Sequence, residues 1–224
     1  MSRKGHTLVD SRRSLPKAWT TETARGDKAG VPRAFRASRT RHPVVLEMLA
    51  DHGAALPHRW IAGDDEMGRP SWFRRRLAAL KERSVLAVPS PTTIRDLEAP
   101  LPAYAGQGRR PPRPWHSVQA WGQAVEASPW QRIEVRAGAK GPLVIEIVKR
   151  RVVSRNHRRQ PGDEELWTVI RSRDRDQDQV VKIDYDLSNA EPATPLWEWA
   201  RVAKAEHRSE ACLQRGKSEA GLAD

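Results

Sequence analysis

Hydrophobic positions fall into two regimes along the chain, one with helical spacing and one with strand alternation. In the first, "HPVVLEMLADHGAA" places apolar residues at 44, 45, 48 and 49 with Gly53 beyond, a spacing that predicts a helix with a C-terminal stop. "HRWIAGDD" follows as a brief apolar strand ending in two acids. "RPSWFRRRLAALKERS" has apolar residues at 72, 73, 77 and 80 with basic residues between them, an amphipathic helix. "VLAVPS" then reads as a buried strand. Strand, helix, strand with short connections predicts an α/β layer with at least two parallel strands. Asp64 and Asp65 thus stand at the carboxyl end of a strand, the edge where ligands and catalytic groups collect in open α/β sheets. Upstream, "HTLVDSRRSLP" starts with a short strand-like run and passes into polar sequence to about residue 41.

The second regime begins near residue 130. "WQRIEVRAG", "PLVIEIVKRRVVS", "EELWTVIRS" and "VVKIDYDLSN" are each apolar or alternating and are separated by polar turns, which predicts an antiparallel meander of about four strands. Between the regimes, Pro89 to Pro114 turns to Pro, Gly, Gln and Arg and reads as a loop or linker. It is no phosphate loop, because no Lys-Ser/Thr and no helix follow its glycines. At the end, Thr194 and Pro195 suit an N-cap and first helical position. Leu196, Trp199, Ala203, Glu210, Leu213 and Lys217 then recur at helical spacing, predicting a long helix that runs almost to the last residue. The expected organisation is a basic segment with a remnant strand (1–41), an α/β part of a core (42–90), a Pro/Arg-rich linker with a short helix (91–129), a β-rich segment (130–190) and a terminal helix (191–224).

Charge adds a partner. Forty Lys and Arg against 28 Asp and Glu in 224 residues give a net charge of +12, which favours a polyanion, with nucleic acid the best fit. Residues 1–41 hold 11 basic and 3 acidic residues, so much of the excess sits there. The block "KRRVVSRNHRR" adds six basic residues with no acid among them, either a phosphate-contacting hairpin or a solvated loop. Cys212 is the only cysteine, which excludes an intrachain disulfide and fits a reducing compartment. No apolar run approaches the roughly 20 residues needed to span a bilayer. A cytoplasmic, DNA-associated protein is expected. Of nine tryptophans, Trp60, Trp72, Trp167, Trp197 and Trp199 lie in apolar elements and are read as core residues rather than base-stacking platforms.

A carboxylate at a strand end and a glutamate on a facing helix are parts of a site for Mg²⁺, which prefers oxygen ligands and keeps several waters. Two such ions, about 4 Å apart, activate an attacking hydroxyl and stabilise the leaving oxygen of a phosphodiester. On a helix, seven residues make nearly two turns, so Glu210 and Lys217 project from one face about 10 Å apart along the axis. Taken alone, this spacing is also that of many solvated helices.

Three segments carry a resemblance: "GHTLVDSRRSLPKAW", "HRWIAGDDEMGRPSWFRRRLAALKERSVLAVPS" and "DLSNAEPATPLWEWARVAKAEHRSEACLQRGKSEAGLAD". Their order and spacing resemble bacterial insertion-sequence transposases of the DDE type. The resemblance implies a partial ribonuclease-H-like α/β fold interrupted by a β-rich insertion. It implies that the second catalytic aspartate is Asp64, that the third acid is Glu210, and that Lys217 seven residues later contacts DNA. Asp64 and Glu210 would hold Mg²⁺ or Mn²⁺ in a two-ion site. The partner implied is DNA bearing transposon terminal repeats, with no membrane and with a homo-oligomer in the intact enzyme. The chain departs from the pattern at Ala203 and Glu206, where a tyrosine and an arginine often stand. The first catalytic aspartate would lie upstream of "GHTLVDSRRSLP", so the expectation is a fragment cut at both ends and inactive alone. Asp10 and Asp65 are weaker alternatives to the assigned acids. Cys212 with His207 lacks a second pair for zinc, and no Gly-x-Ser-x-Gly elbow appears. The competing reading is a non-catalytic, basic DNA-binding remnant.

Overall fold

The computed structural model describes residues 10, 12, 20–21, 23–32, 39–104, 106–125, 130–136, 142–156, 158–173 and 179–205. The chain divides into two compact units, Met1–His58 and Arg59–Asp224.

Within the first unit, α1 is Thr23–Lys28 and α2 is Arg41–His52. The helix anticipated from the apolar spacing at 44, 45, 48 and 49 is α2, which buries Val44 and ends at Gly53, whose N–H bonds the Leu49 carbonyl at 2.7 Å. Its polar side is tied by ions: Arg12 donates to Asp51 at 2.6 Å and Arg39 to Glu47 at 2.6 Å.

The second unit is built on an eight-stranded sheet. Its strands are β1 (Ile61–Gly63), β2 (Ser84–Ala87), β3 (Thr93–Asp96), β4 (His116–Ser117), β5 (Gln131–Arg136), β6 (Leu143–Arg155), β7 (Pro161–Arg173) and β8 (Val180–Ser188). The order is β1-β2-β8-β7-β6-β3-β4, with β5 also paired to β6. β1 and β2 are parallel, joined through α3 (Asp65–Gly68) and α4 (Ser71–Ala79), as the strand-helix-strand pattern requires. The meander β5 to β8 is antiparallel throughout. Its last strand bonds β2, so meander and parallel pair share one sheet.

Strand alternation gives the sheet two apolar faces. One face buries Val148, Val152, Trp167, Val169, Tyr185 and Leu187, and α5 (Val118–Ala124) packs there through Trp121. The other buries Val85, Ile145, Ile147, Leu166 and Ile170 beneath Trp199 and Ala200 of α6 (Leu196–Ala203).

Three expectations need correction. The terminal helix expected to run almost to the last residue stops at Ala203, where the Lys204 backbone leaves helical geometry and its side chain bonds Asp184. Pro89 to Pro114 is not simply a linker, because Thr93–Asp96 is strand β3 with Ile94 fully buried against β6. Four residues are too few to show alternation above the surrounding Pro and Arg. The tryptophans also divide. Trp167 and Trp199 are fully buried and Trp60 partly so, but Trp72 is 44% and Trp197 53% exposed. Each begins a helix whose next aromatic, Phe73 or Trp199, takes the inward position instead.

Candidate functional site

β1 leads directly into the candidate site. Its register with β2 pairs Gly63 with Leu86, and Asp64 then leaves the strand in extended conformation to cap α3. The Asp64 carboxylate accepts a hydrogen bond from the Met67 N–H at 3.0 Å through Oδ1. Two glycines allow this tight return. A Cβ on Gly63 would lie 2.9 Å from Met67 Cβ, and one on Gly68 would lie 1.8 Å from the Ala87 carbonyl oxygen. α3 is therefore pressed onto β2, and Asp64 is held at the carboxyl end of the parallel pair, exposed to solvent.

Asp65 is not a strand neighbour of Asp64 facing the opposite way, since it is already the first residue of α3. It is exposed and lies 4.0 Å from Arg69, a surface pair of little energetic weight. Asp64, Asp65 and Glu66 set three carboxylates around the first turn of α3, a placement the local dipoles favour.

Arg74 keeps this turn in place. Within the amphipathic pattern it reads as one of several solvated arginines, yet it is only 5% exposed. Its Nε donates to Glu165 Oε1 at 2.7 Å and its Nη2 to Glu165 Oε2 at 3.2 Å and Ser154 Oγ at 2.8 Å. Nη1 donates to the Gly68 carbonyl, satisfying an acceptor at the end of α3. One guanidinium thus ties α4, β6 and β7 to the turn that carries Asp64. Its partner Glu165 is distant in sequence, so no local signal marks the pair.

α6 is anchored at both ends. Trp60 Nε1, just before β1, donates to Glu198 at 2.8 Å, and the Trp60 and Trp199 rings meet edge to face with centroids 6.3 Å apart. Near the other end Lys204 donates to Asp184, two residues beyond Asp186, the register partner of Ala87 at the end of β2. Burial alone would raise the Asp184 carboxyl, but Lys204 and Lys182 outweigh it and hold the group below the usual carboxylate range. From Glu198 to Lys204 the helix advances toward the carboxyl ends of β1 and β2, the side on which Asp64 stands.

Glu210, Lys217, Cys212 and His207 lie outside the described residues. Asp10 belongs to the first unit, where it accepts from Arg12 at 2.9 Å and from His52 Nε2 at 3.0 Å. Among the described residues no three His, Cys, Asp or Glu side chains gather as a metal-binding group. The donors at the strand end are all oxygen and face water, as Mg²⁺ prefers, but one Asp64 oxygen is committed to the cap. The described residues at this strand end are too few to hold an ion themselves. Among them no helix is long and apolar enough to cross a membrane.

A family model described as DDE superfamily endonuclease matches residues 1–142. The match takes in α1 to α5, β1 to β5 and Asp64, and it stops before β6 and before Glu210 and Lys217. No curated protein matches the chain. With well over half of its 224 residues inside the match, the chain belongs to the DDE superfamily endonucleases, a family of transposases and nucleases.

Proposed function

We propose that the chain serves DNA transposition, as part of an insertion-sequence transposase of bacterial type with a ribonuclease-H-like core. Asp64 and Glu210 are the acids that would hold Mg²⁺ or Mn²⁺, and Lys217 the cation that contacts DNA. The observation that carries the reading is the position of Asp64, at the carboxyl end of a parallel strand inside the family match, on the side toward which α6 advances. Bound there, divalent ions would activate a water or a terminal 3′-hydroxyl and stabilise the leaving oxygen of a phosphodiester. The chain's own contribution is positional. The Gly63 and Gly68 contacts and the Arg74 network fix the Asp64 turn, and the cap engages Oδ1 of its carboxylate. Two acids are assigned where the family's name denotes three, so low activity of this chain by itself belongs to the reading, as do a cytoplasmic location and self-association.

A second reading, a non-catalytic DNA-binding remnant, is favoured by the +12 charge and the small donor set. Supercoiled plasmid incubated with the full chain and Mn²⁺ separates the two. Nicking lost in both Asp64→Asn and Glu210→Gln supports the catalytic reading, and nicking that survives in either variant sinks the assignment. DNA affinity that falls steeply with salt and is indifferent to Mn²⁺ and to Asp64→Asn selects the second reading, whereas affinity that depends on both supports the first even where nicking is weak.

A further inference from the structure

At the edge of the sheet opposite β1, two arginines pack on one indole. Arg95 of β3 and Arg155 of β6 place their guanidinium carbons 4.3 and 4.1 Å from the centroid of the Trp115 ring. Trp115 immediately precedes β4, whose His116 pairs with Ile94, so the indole is delivered to Arg95 by strand pairing. β6 carries a register shift between Val153 and Arg155, an irregularity of the kind that re-aims a side chain.

Nearby cations of the same sheet are neutralised or bonded. Arg151 donates to Glu164 at 2.7 Å, Arg150 lies 4.0 Å from Asp96 and 3.9 Å from Glu98, and Lys149 donates to the Pro192 and Thr194 carbonyls. Arg95 and Arg155 have no such counter-charge among the described residues, and the buried Nε of each lacks a hydrogen-bond partner. Stacking fixes both planar forks at low entropic cost; each Nε is buried, so the outer Nη groups are the ones open to an anion. Two pre-oriented, uncompensated guanidinium groups match the bidentate acceptor geometry of phosphate. Exposed Arg109 and Arg110 in the preceding loop and Arg158 and Arg159 at the β6–β7 turn extend the basic character of the same unit.

We propose that Arg95 and Arg155, braced on Trp115, form a docking point for the phosphate backbone of double-stranded DNA, separate from the Asp64 edge. The proposal rests on the reading that DNA is the substrate. Five strand-to-strand steps separate β3 from β1, a span of roughly 24 Å at ~4.8 Å per step. Register also sets Arg95 about four residues short of Asp64 along the strands, ~13 Å, so the straight separation is roughly 27 Å, about eight base pairs of duplex at ~3.4 Å each. The pair would fix the duplex in register while the reacting phosphodiester lies at Asp64, and such contacts carry position rather than sequence information.

The test is the salt dependence of binding to a random-sequence duplex, measured by fluorescence anisotropy on the full chain. Each phosphate contact contributes a log–log slope of about 0.9, so Arg95→Gln/Arg155→Gln is expected to lower the slope by roughly 2. Arg151→Gln, which removes a carboxylate-paired neighbour, is expected to leave the slope in place. A folded double variant with the wild-type slope overturns the proposal. If that variant does not fold, phenylglyoxal modification of the wild-type chain, read by mass spectrometry, replaces it. Duplex that shields Arg95 and Arg155 supports the site, and equal modification with and without duplex refutes it. Neither readout needs catalysis, so nicking that survives Asp64→Asn would remove the active-site assignment and leave this result standing.

Discussion

Replacing Arg74 by Met removes the cation that ties α3 and α4 to the meander. Arg74 is 5% and Glu165 12% exposed at the side chain, so solvent does little to screen the loss. Met fills much of the space of the arginine stem but leaves the Glu165 carboxylate buried without its partner. Breaking a buried pair from one side costs about 3–5 kcal/mol. For a unit of this size each kcal/mol moves Tm by about 2–4 °C, so a fall of roughly 6–20 °C is expected in calorimetry or circular dichroism. The double variant Arg74→Met/Glu165→Leu removes both charges and is expected to recover more than half of that loss. Recovery stays incomplete, because the Gly68 carbonyl and Ser154 hydroxyl lose a donor worth about 1 kcal/mol each. A single variant that loses less than about 1 kcal/mol, or a double variant as unstable as the two single changes added together, would refute the account of Arg74 as the buried tie.

Asp64 separates chemistry from capping. Asp64→Asn keeps an acceptor for the Met67 N–H and should change stability by only a few tenths of a kcal/mol, whereas Asp64→Ala should cost about 1 kcal/mol in a denaturant titration. Gly68→Ala drives a methyl into the Ala87 carbonyl and should destabilise by about 1–3 kcal/mol in the same assay, with Gly30→Ala at an open, positive-φ turn as a milder comparison. The lowered Asp184 carboxyl sets an acid dependence. Its contribution to stability is complete above the unfolded value near 4 and disappears as pH falls through the lower folded value. Asp184→Asn should therefore flatten the acid limb of a Tm-against-pH curve, and an unchanged limb would contradict the Lys204 pairing.

What the sequence by itself determined is local and periodic. The spacing at 44, 45, 48 and 49 specifies α2, strand-helix-strand order specifies the parallel β1–β2 pair, and alternation specifies the four strands of the meander. Asp64 could be placed at a strand end for the same reason, since a strand, its end and the following helix are neighbours along the chain. Tertiary structure decided what depends on residues far apart. It brought β8 beside β2, turned Thr93–Asp96 from apparent linker into an inner strand, and exposed Trp72 and Trp197. It buried Arg74 against Glu165, 91 positions away, and left Arg95 and Arg155 sharing one indole without a counter-charge among the described residues. An arginine in isolation carries no mark of its partner. Whether it is solvated, neutralised or held ready for an anion is settled by which strands the sheet sets side by side.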